Sequence, residues 1–260
     1  MTFLLNHPLV FFLVTLPLLW IASLVGTYFR NHSPDPQGAH DDDFGLILGA
    51  TLTLLGLIIG FTFSMAVGRY DQRKNYEEQE ANAVGTEYLR LDLLPAADAA
   101  KTRDLLREYL GQRIVYYSTR DSEVLRQAKA KTAQLEFNLW SAVSPPQVSQ
   151  PTPLSPVVLS GMNDVLNSEG YTEASWRNRV PLAAWILLVF IAVFCNFLVG
   201  YRAHRIAALL FLVLPIALST SFFLIAEIDS PRSGVIRVHA ANLESLADSL
   251  RPGAHPNNGP

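Results

Sequence analysis

Four long apolar runs constrain this chain more than any other feature. They cover residues 9–29, 44–68, 181–201 and 206–226, and none contains a charged side chain. A helix needs roughly 20 mainly apolar residues to cross the hydrocarbon of a bilayer. Each run meets that length. Hydrocarbon holds no water to satisfy the backbone, so each spanning run must be helical. Half of the 260 residues are hydrophobic and only 17% are charged. The polar remainder is too short to bury four such runs in a soluble core. The expected class is all-α: an integral membrane protein with four transmembrane helices and a cytosolic helical domain inserted between the second and third.

The expected organisation follows the hydropathy. Residues 1–68 hold the first helix pair and residues 69–180 a cytosolic helical domain. Residues 181–227 hold the second pair and residues 228–260 a cytosolic tail. No Lys or Arg lies within Met1–Pro8 and no small-residue cleavage pattern follows the first run, so a retained helix is expected rather than a signal peptide. Basic residues near span ends mark the cytoplasmic side. Arg69, Arg73, Lys74, Arg177, Arg179, Arg232 and Arg237 fall on one side, and Arg30, Arg202 and Arg205 on the other. This places both termini in the cytoplasm, in a cell inner membrane.

Between the pairs the chain reads as polar helices. The second apolar run is expected to continue as helix through Leu94, with Ala81, Val84, Tyr88 and Leu91 as its apolar stripe and Glu77, Glu78, Glu87 and Arg90 off it. Pro95 should stop it. Five prolines between Ser144 and Pro156 read as a linker, because proline removes a helical hydrogen bond and clashes with the preceding turn. Acids and bases interleave and nearly balance across 69–180, which argues against a nucleic-acid footprint.

Little in the chain suggests catalysis. It has no P-loop, no G-x-S-x-G and no H-E-x-x-H, and its single cysteine, Cys195, cannot form an internal pair. No Asp, Glu, Lys, Arg or His lies within the four runs, whereas membrane catalysis and proton relays usually need one. His32, His40 and the aspartates Asp41, Asp42 and Asp43 share a loop, where the acids suit the helix start that follows. No metal, cofactor or enzymatic activity is expected.

The second run is the most informative. Gly49, Gly56, Gly60 and Ser64 form a small-residue stripe, which in a membrane lets helices approach closely. Thr53, Leu57 and Phe61 recur every fourth residue beside it. They read either as ordinary packing or as a hydrophobic constriction that gates a pore by dewetting.

Two further stretches carry a family likeness. One begins at Gly60-Phe61-Thr62-Phe63-Ser64 and runs through Arg69, Asp71 and Arg73, then Glu80 and Asn82, to the stretch around Arg90. The other is Glu227-Ile228-Asp229-Ser230-Pro231-Arg232-Ser233-Gly234-Val235-Ile236-Arg237-Val238. Together they resemble the bacterial bestrophin-like membrane proteins, a family of no settled activity, itself distantly similar to the bestrophin ion channels. That resemblance implies a homo-oligomer, a pentamer in bestrophins, that handles inorganic ions within membrane lipid. It implies a pore neck at Thr53, Leu57 and Phe61, although Thr53 departs from the apolar pattern of bestrophin necks. The acidic calcium clasp of the animal members has no counterpart. The alternative is a non-conducting membrane scaffold or sensor that docks a cytosolic partner.

Overall fold

The computed structural model describes residues 5–32, 41–149, 153–202 and 210–251. Among them every regular element is helical. The helices are α1 (Pro8–Asn31), α2 (Asp41–Arg90), α3 (Ala96–Ser118), α4 (Ser122–Ser149), α5 (Ser155–Arg177), α6 (Leu182–Arg202), α7 (Val213–Asp229) and α8 (Ala241–Ser249). Short 3₁₀ turns cover Leu91–Leu93 and Leu210–Leu212.

Three helical stretches are long and apolar enough to cross a membrane: Pro8–Asn31, Gly45–Leu93 and Ser155–Arg202. The second overlaps α2, a single helix of 50 residues that begins at Asp41. Its apolar run ends at Gly68, and the charged continuation expected from the sequence is present as helix to Arg90. The fourth apolar run is represented by α7, whose 17 residues are fewer than the roughly 20 of a typical span. Residues 203–209, which hold the expected hairpin and the start of the fourth run, lie outside the described residues, as do the expected loop 33–40 and the end of the tail, 252–260.

Two local expectations change. Helix α4 continues through Pro145 and Pro146 to Ser149. Both prolines sit in the last turns, where each removes only one hydrogen bond and little helix remains to be disrupted. Pro156 lies in the first turn of α5, where its missing N–H has no helical partner to lose. The segment that reads as a linker from Ser144 to Pro156 is thus largely helical at both ends. The tail also contains a helix, α8, which no apolar run announces.

The chain divides into two compact units. One comprises 1–70 and 179–237, and the other 71–178 and 238–260. The core of the first holds Phe11, Leu19, Leu55, Trp185, Leu188, Cys195, Phe222 and Ile225. Phe11 meets the Trp185 ring edge-on at 5.3 Å and stacks on Phe222 at 6.3 Å. Cys195 packs here as a small apolar side chain.

Helices α1 and α6 touch backbone to backbone. A Cβ on Gly26 would run into the Phe197 carbonyl, and one on Gly200 into the Ser23 carbonyl. Hydrogen bonds reinforce the crossing: Thr27 Oγ1 donates to the Gly200 carbonyl (3.2 Å), and Ser23 Oγ to Asn196 Oδ1 (3.4 Å). Small residues permit such proximity, and dispersion plus these hydrogen bonds hold it where no hydrophobic gain is available.

In the second unit, α3, α4 and α5 bury Leu106, Tyr109, Leu110, Leu135, Leu139, Val158, Met162 and Val165. Asp121 starts α4 by accepting from the Glu123 and Val124 N–H groups (2.7 and 3.1 Å). Tyr116, Tyr117 and Trp176 form an aromatic cluster with centroids 5.3–5.7 Å apart.

Gly200→Ala should lower the melting temperature of the detergent-purified protein, at a cost of roughly 1–3 kcal/mol from overpacking. An unchanged melt, followed by tryptophan fluorescence, would contradict the α1–α6 contact.

Candidate pore face and buried motif residues

Helix α2 has two different sides within the first unit. Leu55, Thr62 and Ala66 are buried. The opposite side presents Thr53, Leu57, Phe61 and Ser64 outward, with Leu57 54% and Phe61 65% exposed. Thr53 Oγ1 bonds the Gly49 carbonyl within its own helix (2.8 Å). Gly49, Gly56 and Gly60 lie on open surface: a Cβ on any of them would meet nothing within 4 Å. Among the described residues, the glycines of this stripe therefore pack on no other part of the chain. The close helix contact within the chain uses Gly26 and Gly200 instead.

The family-motif residues divide between the units. In the first, Asp229 closes α7 and accepts from the Val180 N–H through both oxygens (3.0 and 3.1 Å). Arg69 Nη1 stands 3.9 Å from the same carboxylate. Glu227 Oε2 accepts from the Val235 N–H (2.5 Å), and Gly234 presses against Glu227 too closely for any Cβ. Ser230 Oγ donates to the Leu5 carbonyl (2.9 Å), and Pro231 is buried. The Glu227–Gly234 stretch is thus a tightly bonded turn. Arg232, at its corner, is half-buried.

In the second unit, Arg73 is buried and donates to the carbonyls of Ser175 (3.4 Å) and Asn178 (3.1 Å), ending α5. A cation suits that end of a helix. Glu80 is fully buried and pairs with Arg113 through both oxygens, one contact through Nε and the other through Nη2 at 3.3 Å. Its Oε2 also accepts from Tyr117 (3.1 Å) and Thr172 (3.0 Å). Arg113 further reaches Glu169 (3.4 Å) and lies 4.5 Å from the Tyr116 ring centre. Burial, the largest single influence, would weaken the Arg113 charge, but Glu80, Tyr109 and Glu169 together outweigh it and hold the guanidinium protonated. Burial, then the Glu80 charge, pushes the Tyr117 phenol well up, so it remains a donor. Asp71 and Asn82 are exposed.

The helical pattern misled in one respect. Glu77 and Glu87 do not lie off the packed stripe; both are buried, like Glu80. Glu77 Oε1 accepts from the N–H groups of Asn242 (2.9 Å) and Leu243 (3.0 Å), and Asn242 Nδ2 donates to its Oε2 (2.6 Å). It thereby caps the start of α8. The 3- and 10-residue spacing of Glu77, Glu80 and Glu87 is a helical period and is the signal that could have found them.

Glu87 differs from the other two. Neither carboxyl oxygen has a hydrogen-bond partner, and Arg90 Nη1 stands 3.9 Å away, too far for one. The carboxyl presses into a notch over Gly161 of α5, where a Cβ would collide with it. Burial pushes its pKa up to about 8; Arg90 opposes this and Asp164 adds to it. Among the described residues no group of three or more His, Cys, Asp or Glu is placed to hold a metal ion.

This arrangement defines an all-helical membrane protein with an open, small-residue face on its second helix. The chain belongs to the Bestrophin-like family, whose domain matches residues 11–243. Its fold is that of a bacterial bestrophin homolog from Klebsiella pneumoniae. One crystal structure of that protein, a point variant, is 12% identical with a TM-score of 0.67, and the match covers 92% of this chain and 97% of that one. Another, solved by zinc phasing, is 13% identical with a TM-score of 0.66, covering 92% and 96%. No curated protein matches in sequence.

Two outcomes are expected. Arg113→Met strands Glu80 as an uncompensated buried charge and should cost about 3–5 kcal/mol, whereas Glu80→Leu with Arg113→Met together should recover part of that loss in a melting series. Glu87 holds its proton more tightly folded than unfolded. Its contribution is complete below about 4.5, its ordinary value, and is lost as pH rises towards about 8. The wild type should therefore lose on the order of a few kcal/mol across that window that Glu87→Gln retains. Parallel pH–stability curves for the two proteins would contradict the burial of a neutral Glu87.

Proposed function

We propose that this protein is a bestrophin-like ion channel, a homo-oligomer in the inner membrane whose pore is lined by the open face of α2. The observation that carries the reading is that face itself. It combines exposed Leu57 and Phe61 with Thr53, Ser64 and three bare glycines. A face that met only acyl chains would gain nothing from small and hydroxylated residues. A ring of copies, five by likeness to bestrophins, would bring the glycines against neighbouring helices and Leu57 and Phe61 towards an axis. There they would form a neck that resists wetting.

In this reading the chain crosses the membrane four times, with α7 and the preceding residues as the last span. Both termini and residues 69–180 lie in the cytoplasm, as the distribution of basic residues favours. The pathway carries no charged side chain at its neck. Conduction of anions is preferred on likeness to the family, which is an analogy of fold and not of chemistry.

The test is ion flux into liposomes carrying the purified protein, under chloride, sodium and potassium gradients. Flux selective for one sign of charge is expected. Phe61→Ala should raise it and Thr53→Ile, which makes the neck wholly apolar, should lower it, each by roughly tenfold for a change near 1.4 kcal/mol in the barrier. Absence of flux from folded, inserted protein would favour a scaffold or sensor that docks a cytosolic partner.

A further inference from the structure

Helix α5 carries two carboxyls one turn apart, Glu169 and Glu173. Their side chains are 18% and 15% exposed and lie within hydrogen-bonding reach of each other. Two ionised carboxylates offer only acceptors, so a contact of this kind needs a proton on one of them. Each carboxyl also meets a cation from another helix. Arg113 Nη1 of α3 stands 3.4 Å from Glu169, and Lys129 Nζ of α4 stands 2.7 Å from Glu173.

The surroundings hold more acid than base. Glu80 of α2 already engages Arg113 through both oxygens, and Glu136 of α4 faces the same guanidinium. Arg177 approaches Glu173 only to 3.9 Å and from an exposed position. Four carboxyls thus draw on two close cations. Thr132 lies on the same face of α4 as Lys129 and Glu136. Among the described residues, the hydroxyls of Tyr109 and Thr132 and one Glu136 oxygen are buried without a hydrogen-bond partner. Tyr109 is fully buried, and Glu80, Arg113, Glu136 and Glu169 all lie close enough to act on its phenol. A buried region short of positive charge favours keeping a proton on a carboxyl. Burial pushes Glu169 up to about 7; Arg113 opposes this, and Glu173 and Glu136 add to it. Burial raises Glu136 as well.

We propose that Glu169 and Glu173 share one proton, and that this proton controls how α4 seats against α5. With the proton in place, Glu169 donates to Glu173, and Lys129 reaches Glu173 across the two helices. Loss of the proton sets a second charge beside Glu173 and near Glu136, in a half-buried setting where like charges repel more strongly than in water. The repulsion falls on the α4–α5 contact, because Lys129, Thr132 and Glu136 lie on α4 and the carboxyl pair on α5. Arg113 is not released to relieve it, since Glu80 holds it from α2. The second unit is therefore tighter in acid and loosens at α4 as pH rises towards neutrality. This proton is separate from the one on Glu87, which lies over Gly161, and its role does not depend on the protein conducting ions.

Hydrogen exchange of the full-length, detergent-purified protein provides the test, read on peptides of α4 and corrected for the intrinsic effect of pH on exchange. Glu169 binds its proton more tightly with the contact closed than with it open. Protection should be full below about 4.5, its ordinary value, fall by about tenfold per pH unit as pH rises to about 7, and level off above that. Glu169→Gln, whose amide donates to Glu173 at every pH, should reduce that fall by about tenfold per unit. Glu173→Gln should do the same from the other side of the contact. Glu87→Gln should leave the slope in α4 unchanged. A flat profile in the wild type would overturn the proposal without recourse to any variant. So would a slope that persists in both Glu169→Gln and Glu173→Gln, or one that vanishes in Glu87→Gln. None of these readouts involves flux, so they stand apart from a failure of the channel reading.

Discussion

The second unit is organised by carboxylates that α2 carries into its interior. Glu77, Glu80 and Glu87 sit on the packed side of one helix, and each meets a different set of groups. Removing a carboxylate from water costs several kcal/mol even after relaxation, so each needs local compensation. Glu80 obtains it from a paired guanidinium and two hydroxyls. Glu77 obtains it from the N–H groups at the start of a helix, which are the natural partners of an anion. Glu87 has no such donors, and burial raises its pKa so that it is largely neutral at physiological pH. The three sites show the range of solutions to one problem, from a charge fully matched to a charge given up.

These contacts explain why the family motif is dense in charged residues in a chain that is otherwise sparing with them. Arg73 ends α5, Glu80 joins α3 and α5 through Arg113 and Thr172, and Asp229 fixes the start of α6 through the Val180 N–H. Arg69 adds a weaker approach to Asp229. All four are positioned to hold helix ends or helix pairs. Hydrogen bonds between fixed groups specify one arrangement, which apolar packing alone defines less sharply. The charged motif residues that meet other groups thus act on the framework and leave the chemistry of any permeation path to the uncharged face of α2.

Much of this was legible beforehand. Uncharged runs of about 20 residues announce apolar helices because hydrocarbon allows little else. The continuation of α2 past Gly68 was legible too, since no proline interrupts it before Pro95. The buried glutamates were not. A charged residue scored by type belongs outside, and only a partner far along the chain, such as Arg113 for Glu80 or Asn242 for Glu77, reverses that expectation. Helix α8 was hidden for the same reason: its start depends on Glu77, 165 residues away. The prolines at 145 and 146 misled because composition does not say how close a proline lies to the end of its helix.

Exposure of Leu57 and Phe61 does not by itself separate lipid from a neighbouring subunit, since either surrounding is apolar. The glycines and hydroxyls beside them do bear on it. A helix facing only acyl chains has no use for Gly49, Gly56 and Gly60, each of which adds backbone freedom that folding must remove. Where close approach is needed inside the chain, at Gly26 and Gly200, glycine is present and in contact with a neighbouring backbone. The same chemistry on α2 meets nothing. A second copy of the chain would supply the missing surface, and a ring of copies would do so for every protomer at once without leaving an unpaired end. In such a ring Thr53 would soften a neck otherwise made by Leu57 and Phe61, because a hydroxyl whose proton is already given to Gly49 still accepts from water.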